Sequence, residues 1–166
     1  MVTVDKTDLN IANMEENMTY EELLDEEFGA SELIHYENQN KEYRGMLLKT
    51  IPKNQIIRTR LAKKTDKKAG YFVAFWEKNN ENTNVAYDKK NQADFLCIVV
   101  TDNHLQGVFV FPKQALVEKG ILSSAGAKGK MAARFYPAWC RDLNKTAQKT
   151  QDWQLAFFKD YTTEES

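Results

Sequence analysis

Cysteine and histidine are scarce in this sequence, which has two of each among its 166 residues. Cys97 and Cys140 stand in unrelated contexts without a secretory signal, so we interpret them as reduced thiols and not as a disulfide. His35 and His104 have no partner at metal-ligand spacing, which argues against a metal bound through nitrogen or sulfur. We therefore expect no metal site and no other cofactor.

Long apolar runs are also missing. No segment approaches the roughly 18 consecutive apolar residues that a membrane-spanning helix needs, and the N-terminal residues lack the apolar centre of a signal peptide. These absences predict a cytoplasmic protein with no membrane partner. The hydrophobic content of 42% is enough for a core. We expect one domain over residues 1–166, in which residues 1–18 form a loose acidic arm.

The motifs of common enzyme classes are absent as well. The sequence offers no Ser-His-Asp set and no His-Glu-x-x-His motif, and the glycines at Gly126 and Gly129 lack the spacing of a phosphate-binding P-loop. No small-molecule substrate is indicated. The loop around these glycines carries lysines whose side chains suit phosphate contacts, although a plain surface connection explains the same composition.

Charge is present in quantity and is segregated along the chain. Residues 1–42 hold 12 acidic and two basic residues, whereas residues 43–150 hold 20 basic and eight acidic ones. The overall net charge of −1 conceals this division. Such asymmetry indicates an anionic partner for the basic part, with the acidic arm as an electrostatic mask. The alternative is that the lysines and arginines merely solvate the surface.

Local signals predict three helices and several strands. Thr19 and Glu22 have the spacing of a capping box, and the helix they begin ends at Gly29. Residues 33–43 form either a second short helix or an ordered loop. Pro112 begins a later helix, and Asn144 caps a final one whose stripe of larger side chains continues to residue 161. Strands are predicted at residues 46–48, 56–62, 70–77, 94–100, 108–111 and 133–136.

The wholly apolar run at residues 95–100 is typical of a central strand that is buried on both faces. The order of elements therefore favours an α+β fold with a mixed central sheet flanked by helices. Asp94 begins this strand, and Lys113 follows the next strand. That arrangement resembles the core of the PD-(D/E)xK nucleases, in which carboxylates bind Mg²⁺ and a lysine positions water. Phe111 occupies the position where the pattern requires an acid, so we interpret Asp94 and Lys113 as remnants of a degenerate site.

The basic side chains are interleaved with aromatic ones, a mixture typical of proteins that bind RNA or single-stranded DNA. The sequence lacks a recognition-helix motif of the kind that reads the bases of duplex DNA. Tyr136 and Trp139 are the aromatic candidates, although both rings flank Pro137 and also suit a place at the edge of the core. The predicted nucleic-acid contacts are Arg58, Arg60, Lys63, Lys64, Lys113, Lys128, Lys130, Arg134, Tyr136 and Trp139.

Several segments together resemble the MepB family of small bacterial proteins, which are encoded beside a multidrug efflux pump and its repressor. The resemblance covers roughly residues 35–158. It is carried by residues 70–78, 94–95, 110–113, 116–123, 134–139 and 147–154. It implies a PD-(D/E)xK-like fold without an intact active site, and a nucleic-acid-binding role.

The leading hypothesis is therefore a protein that binds nucleic acid and is not an enzyme. A second hypothesis is a metal-dependent nuclease that uses Asp94, Lys113 and a further acid, Glu77 or Glu42. A third is a protein-interaction accessory of the drug response.

Overall fold

A computed structural model of the protein describes residues 17–90 and 93–164. Within these ranges the chain forms three α-helices. They are α1 (Tyr20–Phe28), α2 (Lys113–Glu118) and α3 (Lys145–Gln154). Two short 3-10 helices cover Lys41–Tyr43 and Leu155–Phe157.

Strands make up most of the rest of the described chain. They are β1 (Ser31–Tyr36), β2 (Met46–Thr50), β3 (Ile56–Leu61), β4 (Lys63–Lys64), β5 (Tyr71–Ala74), β6 (Trp76–Lys78), β7 (Asn84–Ala86), β8 (Phe95–Asp102), β9 (Leu105–Pro112), β10 (Ala132–Phe135) and β11 (Phe158–Asp160).

Six of these strands form the large sheet, in the order β1-β2-β3-β8-β9-β11. β3 and β8 run parallel, whereas every other neighbouring pair in this sheet is antiparallel. The small sheet has the order β10-β5-β4, and β6 and β7 form a separate hairpin. The predicted fold class, α+β with a mixed central sheet, is confirmed.

Helix α1 covers one face of the large sheet. The Thr19 hydroxyl accepts a hydrogen bond from the backbone N–H of Glu22, and the Glu22 side chain accepts one from the N–H of Thr19, so the predicted capping box is present. Leu23 and Leu24 are buried against alternate residues of the central strands, among them Cys97. Both cysteines are free, as the sequence predicted.

The other face of the large sheet carries the main core. Leu96 and Ile98 of β8 point to this side, while Cys97 between them points toward α1. This alternation explains the wholly apolar sequence of β8, because each face of the strand meets a packed layer. The core on this side includes a cluster of aromatic rings around Phe109 and Phe111, which stack with ring centroids 5.6 Å apart. The small sheet, α2 and α3 cover it.

Two sequence predictions were wrong about secondary structure. Residues 33–36, the first part of the region 33–43 predicted as a short helix or an ordered loop, belong to the edge strand β1, which is exposed from Glu32 onward and carries a bulge beside Leu33. The final helix ends at Gln154, before the end of its predicted stripe at residue 161. The chain then forms β11, which pairs with β9 and places Phe158 against Phe109 at 4.6 Å between centroids.

The predicted strand at residues 70–77 is divided between two sheets, because β5 ends at Ala74 and β6 begins at Trp76. No helix in residues 17–90 and 93–164 has the length and apolar character required to cross a membrane. The predicted acidic arm lies outside the described residues, except for its last two. Of these, Met18 donates its backbone N–H to the Gln106 side chain at 3.0 Å.

Candidate nucleic-acid interface

The small sheet has one face packed on the core and one face turned outward. On its inner face, Tyr71, Val73 and Phe135 are buried. On its outer face, Phe72 of β5 lies directly between Lys63 of β4 and Arg134 of β10 in the strand register. Because alternate residues of a strand point to opposite faces, these three side chains share the outer face.

The charged groups of this row lie beside aromatic rings. The Arg134 guanidinium is 5.6 Å from the centroid of the Phe72 ring, and its Nη1 donates to the carbonyl oxygen of Ala69 at 3.1 Å. The Lys63 ammonium lies 5.6 Å from the ring of Tyr43, which in turn contacts Phe72 at 6.2 Å between centroids. We call Lys63, Phe72 and Arg134 the outer row.

Two clefts adjoin the outer row, and both are lined by Arg134 and Tyr136. The first, of about 510 Å³, lies between the small sheet and the N-terminus of α3. The second, of about 240 Å³, lies along α3 and is also lined by Trp153. The basic residues lining the two clefts are Lys67, Lys68, Lys119, Lys130 and Arg134, against one acidic residue, Asp142. We call the two clefts together the basic groove.

The local structure at α3 adds to the positive character of the first cleft. Asn144 caps the helix by accepting a hydrogen bond from the backbone N–H of Ala147 at 2.8 Å, as the sequence predicted. The N-terminal end of a helix carries a partial positive charge. Lysines, Arg134 and the helix end therefore act in the same direction, and the groove favours an anionic partner.

Some of the predicted contact residues come together at this surface. Lys63 and Arg134 belong to the outer row, and Lys130 lines the second cleft. Lys128 is exposed in the loop two residues before Lys130. Lys64 lies on β4, where its ammonium is 3.4 Å from the carboxylate of Asp102, but its side chain is 71% exposed. An exposed ion pair of this kind is weak, so Lys64 remains available.

Arg58 and Arg60 are not surface residues, which corrects their prediction as nucleic-acid contacts. The Arg60 side chain has no exposed surface, and that of Arg58 is 10% exposed. Both guanidiniums contact the buried carboxylate of Glu37, at 2.7 Å from Arg60 and 3.0 Å from Arg58. Arg60 also donates to the Tyr87 hydroxyl at 3.0 Å, and Arg58 lies over the Tyr87 ring. Both arginines lie within β3 and bind an internal anion instead of facing solvent.

The pKa of the Glu37 carboxyl group reflects the charges around it in this buried cluster. Burial alone would raise the pKa of its carboxyl group, but the positive charges of Arg60 and Arg58, and their hydrogen bonds, outweigh that effect and hold the pKa below its ordinary value. Glu37 is therefore the anion on which both buried guanidiniums depend.

The two predicted aromatic contacts are held by internal partners. Tyr136 is 8% exposed, and its backbone N–H donates to Gln154. Its ring leaves no space for a β-carbon at Gly70, which would lie 2.6 Å away. The Trp139 indole N–H donates to the Tyr71 hydroxyl at 2.9 Å. Tyr136 is buried, which corrects its prediction as a stacking contact. Trp139 is half-buried, and its role as a nucleic-acid contact stays a prediction. Tyr136 lines both clefts, although little of it is exposed.

Sequence reasoning missed Phe72. The segment Tyr71–Ala74 is apolar at every position, so its sequence alone does not show which side chains face outward. Only the pairing of β5 with β4 and β10 shows that Phe72 shares a face with two cations. Lys119, whose ammonium lies 5.4 Å from the Trp153 ring, was likewise not recognised.

The proposed nuclease remnants do lie next to each other. β8 and β9 pair so that Phe95 is opposite Pro112, and the backbone N–H of Lys113 donates to the backbone carbonyl of Asp94 at 3.0 Å. The Asp94 carboxylate, however, accepts the backbone N–H of Ile56 at 2.8 Å. Phe111 is fully buried in the aromatic core. Lys113 begins α2 and lines neither cleft of the basic groove.

A metal site would need further ligands. Within the described ranges, no three histidine, cysteine, aspartate or glutamate side chains are grouped so as to bind a metal ion. Burial raises the pKa of Glu77, one of the two further acids considered, while the charge of Arg58 opposes the rise. The other, Glu42, is exposed in a short 3-10 helix.

Comparison with known proteins gives one consistent result. A solved structure described as the crystal structure of MepB superposes with a TM-score of 0.77 at 42% sequence identity, covering 89% of this chain and all of that one. No match was found among curated proteins. The family model described as MepB-like matches residues 37–160. That match spans well over half of the 166 residues, and the chain therefore belongs to the MepB-like family.

Proposed function

We propose that the protein binds nucleic acid through the basic groove and the outer row, with RNA or single-stranded DNA preferred over duplex DNA, and does not cleave it. The observation that supports this proposal most directly is the composition of the groove, where five basic residues face one acidic residue. Basic side chains neutralise phosphates and displace the counterions around them. A polyanion is the partner that such a surface favours.

The absence of cleavage is part of the proposal and is supported by two side chains. The Asp94 carboxylate accepts a backbone hydrogen bond at the start of β3, and Phe111 is packed among other aromatic rings. Cleavage by a metal-dependent mechanism needs carboxylates that are free to bind the cation. The function is thus the binding of nucleic acid and not its hydrolysis.

The test is a salt titration of binding, measured by fluorescence anisotropy with labelled RNA, single-stranded DNA and duplex DNA. We expect affinity to fall steeply with rising salt, with a slope of about −0.7 per neutralised phosphate on a single strand. Lys130→Ala and Arg134→Ala should each weaken binding and make the slope shallower by roughly one phosphate contact. Lys53→Ala, on the turn between β2 and β3, is the matched control and should leave both values unchanged.

An affinity that does not change with salt concentration would contradict the proposal. So would an equal loss of affinity in the Lys53→Ala and Lys130→Ala variants. Parallel incubations with Mg²⁺ and with EDTA test the second part. Cleavage that requires Mg²⁺ and is abolished by Asp94→Ala in folded protein would establish a nuclease instead.

A further inference from the structure

Phe72 packs in part against the main core, through its contact with the Tyr43 ring, but this packing does not bury it fully. Its neighbours in β5, Tyr71 and Val73, are buried in the core, whereas Phe72 is half-buried on the outer face of the small sheet. It is flanked on the two adjacent strands by Lys63 and Arg134. A large apolar ring between two cations on a solvent-facing sheet is a surface that suits a ligand with both a flat apolar face and negative charge.

An unpaired nucleotide has both of these features. Its base presents a π-face that stacks on an aromatic ring whatever the sequence, and its phosphates are anionic. In a duplex the bases are already stacked on each other, so a ring on a protein surface does not reach them. The occupant that fits Phe72 is therefore a single strand, and RNA and DNA share this chemistry.

The spacing of the outer row fits a nucleotide. Directly opposite residues of antiparallel neighbours have β-carbons about 4.5–5.5 Å apart, so Lys63 and Arg134 reach to either side of the ring between them. Arginine guanidiniums also stack on bases, and that of Arg134 lies 5.6 Å from the Phe72 centroid. The Tyr43 ring packs against Phe72 in a tilted arrangement, at 6.2 Å between centroids.

We infer that Phe72 is a stacking platform for one unpaired nucleobase, with Lys63 and Arg134 contacting the phosphates that flank it. The inference rests on the proposed function, since it assigns the base-binding part of the same surface. It predicts that the bases contribute to affinity independently of the phosphates. A surface that binds only by charge would not distinguish a strand with bases from one without them.

The experiment compares four labelled probes at low salt and across a salt titration: oligothymidylate, oligouridylate, an abasic DNA strand of the same length, and the duplex of the oligothymidylate. The wild-type protein should bind both base-carrying single strands more tightly than the abasic strand and the duplex. Phe72→Leu should weaken binding of the oligothymidylate by about 5- to 150-fold, the range expected for loss of one stacked base. It should leave the affinity for the abasic strand unchanged.

Phe28→Leu is the matched control, because Phe28 is a half-buried phenylalanine that packs against the core on the α1 side of the large sheet. It should not change affinity for any probe. Equal wild-type affinity for the oligothymidylate and the abasic strand would overturn the inference without the need for any variant. So would a folded Phe72→Leu protein that binds both strands as the wild type does, or that weakens both equally.

Failure of the proposed function would give a different result. In that case the wild-type protein would bind none of the four probes in a salt-dependent way. Salt-dependent binding that ignores the presence of bases would refute only the role of Phe72.

Discussion

Replacement of Glu37 by glutamine tests how the buried charge cluster stabilises the fold. The Glu37 carboxylate is 6% exposed and contacts two guanidiniums whose side chains are 0% and 10% exposed. Glutamine preserves the shape of the side chain and one acceptor oxygen but removes the negative charge. Arg58 and Arg60 would then remain buried without their shared anion. Breaking a buried ion pair by removing one partner costs about 3–5 kcal/mol of unfolding free energy, and we expect a loss in that range at pH 7.

The pH dependence provides a second and more specific readout. The pKa of Glu37 is lowered from 4.5 by the charges of Arg60 and Arg58, although burial opposes the shift. A carboxyl group with a lowered pKa stabilises the folded state above its unfolded pKa, and this stabilisation is lost as the pH falls through the folded pKa. The difference in stability between wild type and Glu37→Gln should therefore be constant near neutral pH. It should narrow as the pH is lowered below 4.5.

Urea unfolding followed by tryptophan fluorescence at several pH values measures both effects. Glu32→Gln is the control, because Glu32 is an exposed residue of β1 and its substitution should change the unfolding free energy by less than about 0.5 kcal/mol. A loss below about 1 kcal/mol for Glu37→Gln at pH 7 would refute the reasoning. A difference that widens on acidification would refute it as well.

Two further substitutions test the packing and the helix start. Gly107→Ala should lower the melting temperature and cost about 1–3 kcal/mol of unfolding free energy in a urea titration, because an added β-carbon would lie 2.5 Å from the ring of Phe158 and 2.7 Å from a backbone oxygen of β11. Gly126→Ala should cost less, because a β-carbon there meets nothing within 4 Å, although the φ angle is +84°. Equal losses of unfolding free energy in the two variants would argue against close packing of β11. Thr19→Ala should cost about 1 kcal/mol, since it removes the side-chain oxygen that caps α1. Thr19→Ser should restore most of that loss in the same titration, and an alanine variant as stable as wild type would show that the cap does not contribute.

Features that depend on neighbouring residues in the chain were predictable from the sequence. The capping box at Thr19 joins residues three positions apart, and the cap at Asn144 reaches Ala147. Both helix starts therefore depend only on residues that are close together in the sequence. The wholly apolar run of β8 predicted a strand between two packed layers. Mixed pairing of the large sheet followed from the order of such elements.

Features that depend on strand pairing were not predictable. The residues of β1 are held as a strand by backbone hydrogen bonds to β2, and those of β11 by bonds to β9, although local patterns suggested other structures. β11 takes its partner β9 from a distant part of the chain, and β1 pairs with β2 across a loop. The sequence of such an edge strand specifies it only weakly, because the pairing depends on residues outside the strand.

The order of residues was enough to show that this chain has a basic part composed of arginine, lysine and aromatic side chains. Which of these side chains face solvent depends on how the strands pair and pack. Arg60, predicted to bind phosphate, lies in the core because Glu37 supplies a buried anion for it. Phe72 faces outward because the inner face of β5 is already occupied by Tyr71 and Val73. The charge and hydrophobicity of a side chain are set by the residue type, whereas its solvent exposure and its contact partners are set by the packing of the sheets.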